Sequence, residues 1–248
     1  MIKSVVRNVA CVAAIAGVSA ASAADLPVTK APVYVAAPTW TGFYIGGHIG
    51  GAWGEEVGST LNTTALALAG TQTPGNYNGF LGGVQAGYNY QISPNWVIGI
   101  EGDWSWTNAK GTTTTASLVP GVTLGGSTTV KWYSTLTGRV GYTAGNWLLY
   151  VKGGGAWSNA DYNGNAMAGA VTLQNATTSV THNGWTVGAG LEFMLTGNWT
   201  ARAEYNYLDF GTSQVQFVFA GLGVNGANVT TQAHLAKFGL NYKFGGVR

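Results

Sequence analysis

Glu101 and Asp103 are the residues that first suggest chemistry. They stand two positions apart in Trp96-Val97-Ile98-Gly99-Ile100-Glu101-Gly102-Asp103-Trp104-Ser105-Trp106, and on an extended chain such a pair projects from one face. Two neighbouring carboxylates are the equipment of acid–base hydrolysis. The same spacing serves equally to set two acids against basic side chains, and bases are at hand: Lys131, Arg139, Lys152, Arg202, Lys237 and Lys243, with Glu192 and Glu204 as further acids. The three histidines, His48, His182 and His234, are far apart in sequence. His182 and His234 fall near the outer ends of two of the strands set out below. A metal or haem contact is one reading of them, and solvated imidazoles at loop ends the plainer one. No phosphate-binding loop, zinc motif or HExxH arrangement occurs, so no cofactor is expected.

The element that must position Glu101 and Asp103 is a strand. Read with period two, Trp96, Ile98, Ile100, Gly102, Trp104 and Trp106 share one face, and Val97, Gly99, Glu101, Asp103 and Ser105 the other. Indole rings settle at water–lipid boundaries, so aromatics at both ends of an apolar face mark a strand that crosses a membrane. Roughly 9–11 tilted residues suffice for the crossing. Similar alternation recurs from Trp40 to Trp53, Phe80 to Gln91, Thr129 to Tyr142, Trp147 to Trp157, Trp185 to Phe193, Trp199 to Tyr207 and Ala236 to Phe244. Tight turns at Pro94-Asn95, Gly145-Asn146 and Gly197-Asn198 each lead into a tryptophan, and Asn and Gly suit the positive φ of such turns. They alternate with long polar stretches at about residues 54–79, 107–128, 158–183 and 211–231, which have few charges in or near them (Glu55, Glu56, Lys110, Asp161 and, just outside, Asp209). The expectation is an all-β fold: an eight-stranded antiparallel up-and-down transmembrane β-barrel with short periplasmic turns and long extracellular loops.

Parity then assigns the charges. Glu101, Asp103, Lys131, Arg139, Lys152, Glu192, Arg202, Glu204, Lys237 and Lys243 fall on the inward face, and Trp96, Trp104, Trp106, Trp147, Trp199 and Phe244 form the membrane girdle. A Lys or Arg on the lipid face would cost about 2–4 kcal/mol at mid-depth. Inside, the charges can pair, and eight strands enclose a space just wide enough for side chains to fill. Counted with six bases, Glu101 and Asp103 read as part of a salt-bridge network rather than an active pair. The inward glycines Gly46, Gly87, Gly99, Gly154, Gly188 and Gly190 leave space that is either packed or open to a file of waters. A structural protein sealed by its network and a narrow porin for small solutes therefore both stand. A soluble lipocalin-like barrel would show the opposite parity, with charges outside.

The chain ends carry addresses. Lys3 and Arg7, the apolar run from Val9 to Ala20 and the small residues Ala21-Ser22-Ala23 form a signal peptide over residues 1–23. Residues 24–39, punctuated by Pro27, Pro32 and Pro38, form a flexible periplasmic tail, and 40–248 the barrel. The one cysteine, Cys11, leaves with the signal. Without Lys3 and Arg7 the bases equal the nine acids, so charge gives no reason to expect nucleic acid.

Trp40-Thr41-Gly42-Phe43-Tyr44-Ile45-Gly46-Gly47, the recurrent Asn-Trp turns and the closing Gly239-Leu240-Asn241-Tyr242-Lys243-Phe244-Gly245-Gly246 resemble the small outer-membrane β-barrel proteins (RopB-like, porin family) of alphaproteobacteria. The resemblance spans the mature chain. It implies the outer membrane of a Gram-negative cell, contact with lipid and lipopolysaccharide, insertion by the barrel-assembly machinery, and a structural, surface-recognition or porin role. It supplies no catalytic residues. The family's insertion signal ends on an aromatic; here Gly245 to Arg248 follow Phe244.

Overall fold

The computed structural model describes residues 39–60, 75–116, 122–168, 171–196, 198–219 and 223–244. The expected signal peptide, nearly all of the expected tail and the last four residues lie outside them. The described residues form one antiparallel sheet of nine strands: β1 (Gly42–Thr60), β2 (Gly75–Ser93), β3 (Trp96–Thr107), β4 (Lys110–Ala116), β5 (Val122–Ala144), β6 (Trp147–Ala168), β7 (Val171–Met194), β8 (Trp199–Phe219) and β9 (Gly223–Phe244). β1 is paired with both β2 and β9.

The regular eight-stranded up-and-down barrel is thus corrected in two respects. The sheet has nine strands and does not close as a regular ring of eight. The position between β2 and β5 is shared by β3 and, beyond a break at Asn108–Ala109, by the short β4, which pairs with both neighbours. The second correction concerns the long loops. Most of 107–128, 158–183 and 211–231 is strand, as are both described ends of 54–79. β7, at 24 residues, spans roughly 80 Å at ~3.3 Å per residue, far more than an apolar band of about 25 Å requires even with tilt. The segments looked like loops because they lack an apolar outward face, yet threonine and the aromatics favour extended chain.

That missing face reflects an inversion along each long strand. In β6 the half next to the tight turn exposes Trp147, Leu149 and Val151 and buries Tyr150 and Lys152. The far half buries Ala156, Ala160 and Tyr162 and turns Asn159, Asp161 and Asn163 outward. β9 reverses likewise: Phe238 and Leu240 out against Lys237 and Asn241 in, then Leu235, Ala233 and Val229 in. Cross-strand hydroxyl and amide pairs line the outward side of the far half, including Thr177 to Asn163 at 2.6 Å and Thr212 with Thr230 at 2.7 Å.

The interior holds three kinds of packing. Near the tight turns Trp40 is buried with Val97, Leu148, Tyr150 and Met194. Gly42, at φ 144°, permits the bend that precedes β1, a conformation costly for a residue with a Cβ. The Trp40 indole N–H donates to Thr143 Oγ1 at 2.7 Å and its backbone N–H to Gln91 Oε1 at 3.0 Å. Mid-depth holds charges. The far half holds an apolar and aromatic core that includes Tyr77, Tyr133, Leu208, Phe210 and Leu235.

Candidate functional site

The mid-depth charges come from alternate positions on β3, β5, β6, β7, β8 and β9, whose outward neighbours are apolar. Glu101 is the hub. Its carboxylate accepts from Lys152 Nζ at 2.8 Å, from Tyr44 OH at 2.6 Å and from Arg202 Nη1, with Arg139 Nη1 at 3.6 Å. Lys237 donates to Asp103 at 2.9 Å and lies 3.2 Å from Glu204, which also takes Lys152 at 2.9 Å. Arg139 reaches Glu192 at 3.3 Å and lies between the rings of Tyr44 and Tyr150, 4.8 and 4.9 Å from their centroids. A guanidinium so placed gains from both ring faces. All eight charged groups are buried. The acids Glu101, Asp103, Glu192 and Glu204 balance the bases Arg139, Lys152, Arg202 and Lys237, which is the condition under which buried charge is tolerable.

Two of the ten residues assigned inward by parity lie elsewhere. Lys243 is buried, but at the turn end, where Nζ donates to the Thr39 carbonyl. Lys131 is a correction. Its side chain is 49% exposed on the outward face and pairs with Asp161 at 2.7 Å. A β-bulge between Val130 and Trp132 breaks the register of β5 against β6, so alternation counted from Arg139 fails one residue past Trp132. The six expected girdle residues all point outward and are 37–56% exposed. Trp96, Trp147 and Trp199 pack against Tyr142, Phe193 and Tyr242 at one level.

The inward glycines are seats for large neighbours. A Cβ on Gly87 would strike the Tyr44 phenol and one on Gly190 the Tyr150 ring. One on Gly46, Gly99 or Gly188 would meet the amide of Asn241, Asn89 or Asn206. A glycine beside a long side chain in sequence was readable; the cross-strand partner that fills it was not.

Of the polar residues that extend the ion-pair network, only His48 was singled out from sequence, although each lies at an inward parity position. Ser105 donates to His48 Nε2 at 2.8 Å and His48 Nδ1 faces Gln85 Oε1 at 2.5 Å. Gln85 Nε2 then donates to Asn241 at 2.7 Å, and Asn241 to Glu192 at 2.9 Å. Serine, imidazole and an orienting amide are parts of a nucleophilic site, but here all are buried and the chain of donors ends on a carboxylate already bound to Arg139. Nor do Glu101, Asp103 and Glu204, whose oxygens lie within 4.8 Å of one another, offer a cation site. Lys152, Lys237 and Arg202 already claim them, and Arg202 Nε and Nη2 and Arg139 Nη2 add donors without protein acceptors. His182 is buried, not a solvated loop-end residue, and Nε2 pairs with Tyr162 OH at 2.9 Å. His234 faces outward, stacked on Trp53 and 2.6 Å from Tyr205 OH. The two are on opposite faces of the sheet and share no ligand.

Residues 10–244 match the family model for the outer membrane protein beta-barrel domain. The chain belongs to that family. A 31 kDa outer-membrane immunogenic protein of Brucella melitensis is 34% identical over 245 residues, covering 91% of this chain and 94% of its own. A 22 kDa outer membrane protein of Rhizobium leguminosarum bv. viciae is also 34% identical, over 216 residues, covering 81% and 82%. The crystal structure of the outer membrane protein OprG from Pseudomonas aeruginosa shares the fold at a TM-score of 0.51 and 13% identity, covering 82% of this chain and 97% of that one. As a member of this family the chain is a structural protein of the outer membrane of a Gram-negative bacterium, related to alphaproteobacterial proteins. Its buried ion pairs fill the interior at mid-depth.

Proposed function

We propose that the protein is a sealed barrel-like structural element of the outer membrane, which supports envelope integrity and presents its outer strand extensions for surface interaction. One observation carries this reading: four acids and four bases neutralise one another in the buried interior, between the Trp40 cap and the aromatic core. On this reading it is not an enzyme, because its carboxylates are consumed by ion pairs and Ser105 and His48 are both buried. Residues 1–23 direct export, residues 24–39 stay in the periplasm, and the barrel-assembly machinery inserts the rest. The outward tryptophans and Phe244 meet outer-membrane lipid and lipopolysaccharide. That a Brucella relative bears the name immunogenic supports a surface position.

Reconstitution in planar bilayers tests the seal. The purified protein gives no stepwise conductance, while Trp40→Ala combined with Arg139→Ala opens a measurable leak. Reproducible steps from the unmodified protein would replace the sealed reading with a narrow pore for small solutes.

A further inference from the structure

Among the described residues, cations face outward at two places, and the two are neighbours. Arg139, Lys152, Arg202, Lys237 and Lys243 are buried. Lys110, at the start of β4, is exposed, and the bulge turns Lys131 of β5 outward. Lys110 is in register with Thr129, two residues from Lys131. Both ammonium groups ride on flexible four-carbon stems, so one phosphate group can engage the two from these adjacent strands. Without the bulge, parity would have buried Lys131 and left Lys110 alone.

Directly toward the membrane from these lysines lies an indole ledge. Trp106 precedes Lys110 on the same face, and Trp132 follows Lys131 and pairs with Trp106. Trp104 stacks on Trp132 at 4.5 Å and lies 6.5 Å from Trp106, and Trp157 of β6 is in register with Ser134 beside them. The acid in reach, Asp161, holds Lys131 at 2.7 Å and leaves Lys110 uncompensated. The other outward acids, Glu55 on β1 and Asp209 on β8, lie on strands that do not adjoin β4 or β5.

We propose that Lys110 and Lys131, above Trp104, Trp106, Trp132 and Trp157, form a site for the phosphate-bearing headgroup of an outer-leaflet glycolipid. The ammonium groups take the phosphate, and the indoles take the sugar face and the first methylenes of the acyl chains. A free anion would use the lysines and leave the ledge idle, which is why the lipid is the occupant. The site rests on the outer-membrane reading above and deepens its lipid contact.

The test uses the full mature chain refolded into lipid nanodiscs. Three probes are compared: bisphosphorylated lipid A, the same lipid with both phosphates removed, and inorganic phosphate. Binding is read by native mass spectrometry and by tryptophan fluorescence. Lys110→Gln with Lys131→Gln weakens bisphosphorylated lipid A about fivefold for each lysine removed, the attraction of one basic side chain to an anionic membrane surface. Dephosphorylated lipid is bound equally by both proteins, and Lys110→Arg with Lys131→Arg restores the preference. Equal binding of the bisphosphorylated lipid by the double Gln variant and the unmodified protein overturns the site, as does displacement of the lipid by millimolar inorganic phosphate. Heat-dependent gel mobility and vesicle insertion are scored in parallel. A protein that inserts without phosphate preference sinks this site alone, whereas failure of the unmodified chain to insert sinks the membrane reading.

Discussion

The near and far halves of the same strands obey opposite rules. In the half next to the tight turns, apolar side chains face out and charges face in. In the far half, hydroxyls and amides face out, and Tyr77, Tyr133, Leu208 and Leu235 face in. The backbone and its ladders are continuous across the change, so the solvent outside differs and not the fold. Lipid accepts only apolar side chains and leaves the interior to polar groups that must satisfy one another. Water reverses the preference, and the far half packs like a soluble β domain. Tryptophans cluster at the level where the rule changes, with Trp53, Trp106, Trp132, Trp157 and Trp185 all near it.

The sharpest way to break this comparison is to remove one partner from the near half's network. Arg202→Met leaves Glu101 and Glu204 short of a cation in the buried interior. Breaking a buried pair on one side typically costs about 3–5 kcal/mol. Urea titration of the refolded protein, followed by heat-dependent gel mobility, reads the loss directly. Lys131→Met, which breaks an exposed pair in the far half, costs under about 1 kcal/mol. Equal losses from the two would show that the halves do not differ in the way their interiors and surfaces are built.

A second test acts from outside. Val151 and Asn159 both point outward on β6, eight residues apart. Val151→Lys places an ammonium against lipid and costs about 2–4 kcal/mol at mid-depth. Asn159→Lys places one in water and stays within about 0.5 kcal/mol. If Val151→Lys folds in vesicles as stably as the unmodified protein, the apolar face does not meet lipid.

The inversion also explains what could be read beforehand. Period-two alternation marked the near half of every strand but β4 and, with it, the buried positions of Glu101, Asp103, Arg139, Lys152, Glu192, Arg202, Glu204 and Lys237. The far halves read as loops because they carry no lipid-facing stripe, and segments such as Asn159-Ala160-Asp161-Tyr162-Asn163 alternate in the opposite sense. Two irregularities escaped. A bulge inserts one residue and leaves no mark in composition, so Lys131 was placed inside. The alternation starts the first strand at Trp40, whereas the bend at Gly42 tucks Trp40 under the interior. Tyr44, Tyr150 and Asn241 fell on the correct face, but which glycine each would cover depends on register, and register is set by pairing across the sheet.

Register makes a third prediction, of intermediate size. Tyr150 lies over Gly190, with its hydroxyl donating to Glu204 at 2.8 Å and its ring against Arg139. A methyl at Gly190 has no room unless the ring moves, and the ring is pinned at both its polar end and its face. Gly190→Ala therefore costs about 1–3 kcal/mol, the usual penalty of overpacking. The double variant Gly190→Ala with Tyr150→Phe recovers part of it, because the freed ring can tilt. A Gly190→Ala protein with an unchanged urea midpoint would mean that the interior keeps slack after all.

The smallest effect isolates a lone charge in the far half. Glu56 sits in the otherwise apolar and aromatic interior, accepting from Thr128 at 2.7 Å and Tyr162 at 3.3 Å. Among the described residues it makes no ion pair, unlike every acid in the near half's network. Burial pushes its carboxyl above the ordinary carboxylate range, and the two hydroxyl donors offset only part of that. A carboxyl with a raised folded-state value binds its proton more tightly when folded. The contribution of Glu56 to stability is therefore fullest at low pH, falls as pH rises from the unfolded value of about 4.3 toward the folded one, and stays level above it. Glu56→Gln removes the titration and keeps an acceptor for one of the two hydroxyls. At pH 7 the variant is more stable than the unmodified protein by less than about 1 kcal/mol, and near pH 4 the difference vanishes. The far half responds first, so limited proteolysis of the outer strands is a better reporter than global unfolding. A Glu56→Gln variant cut faster than the unmodified protein at pH 7 would mean that Glu56 has a cationic partner and that the two halves differ less than their interiors suggest.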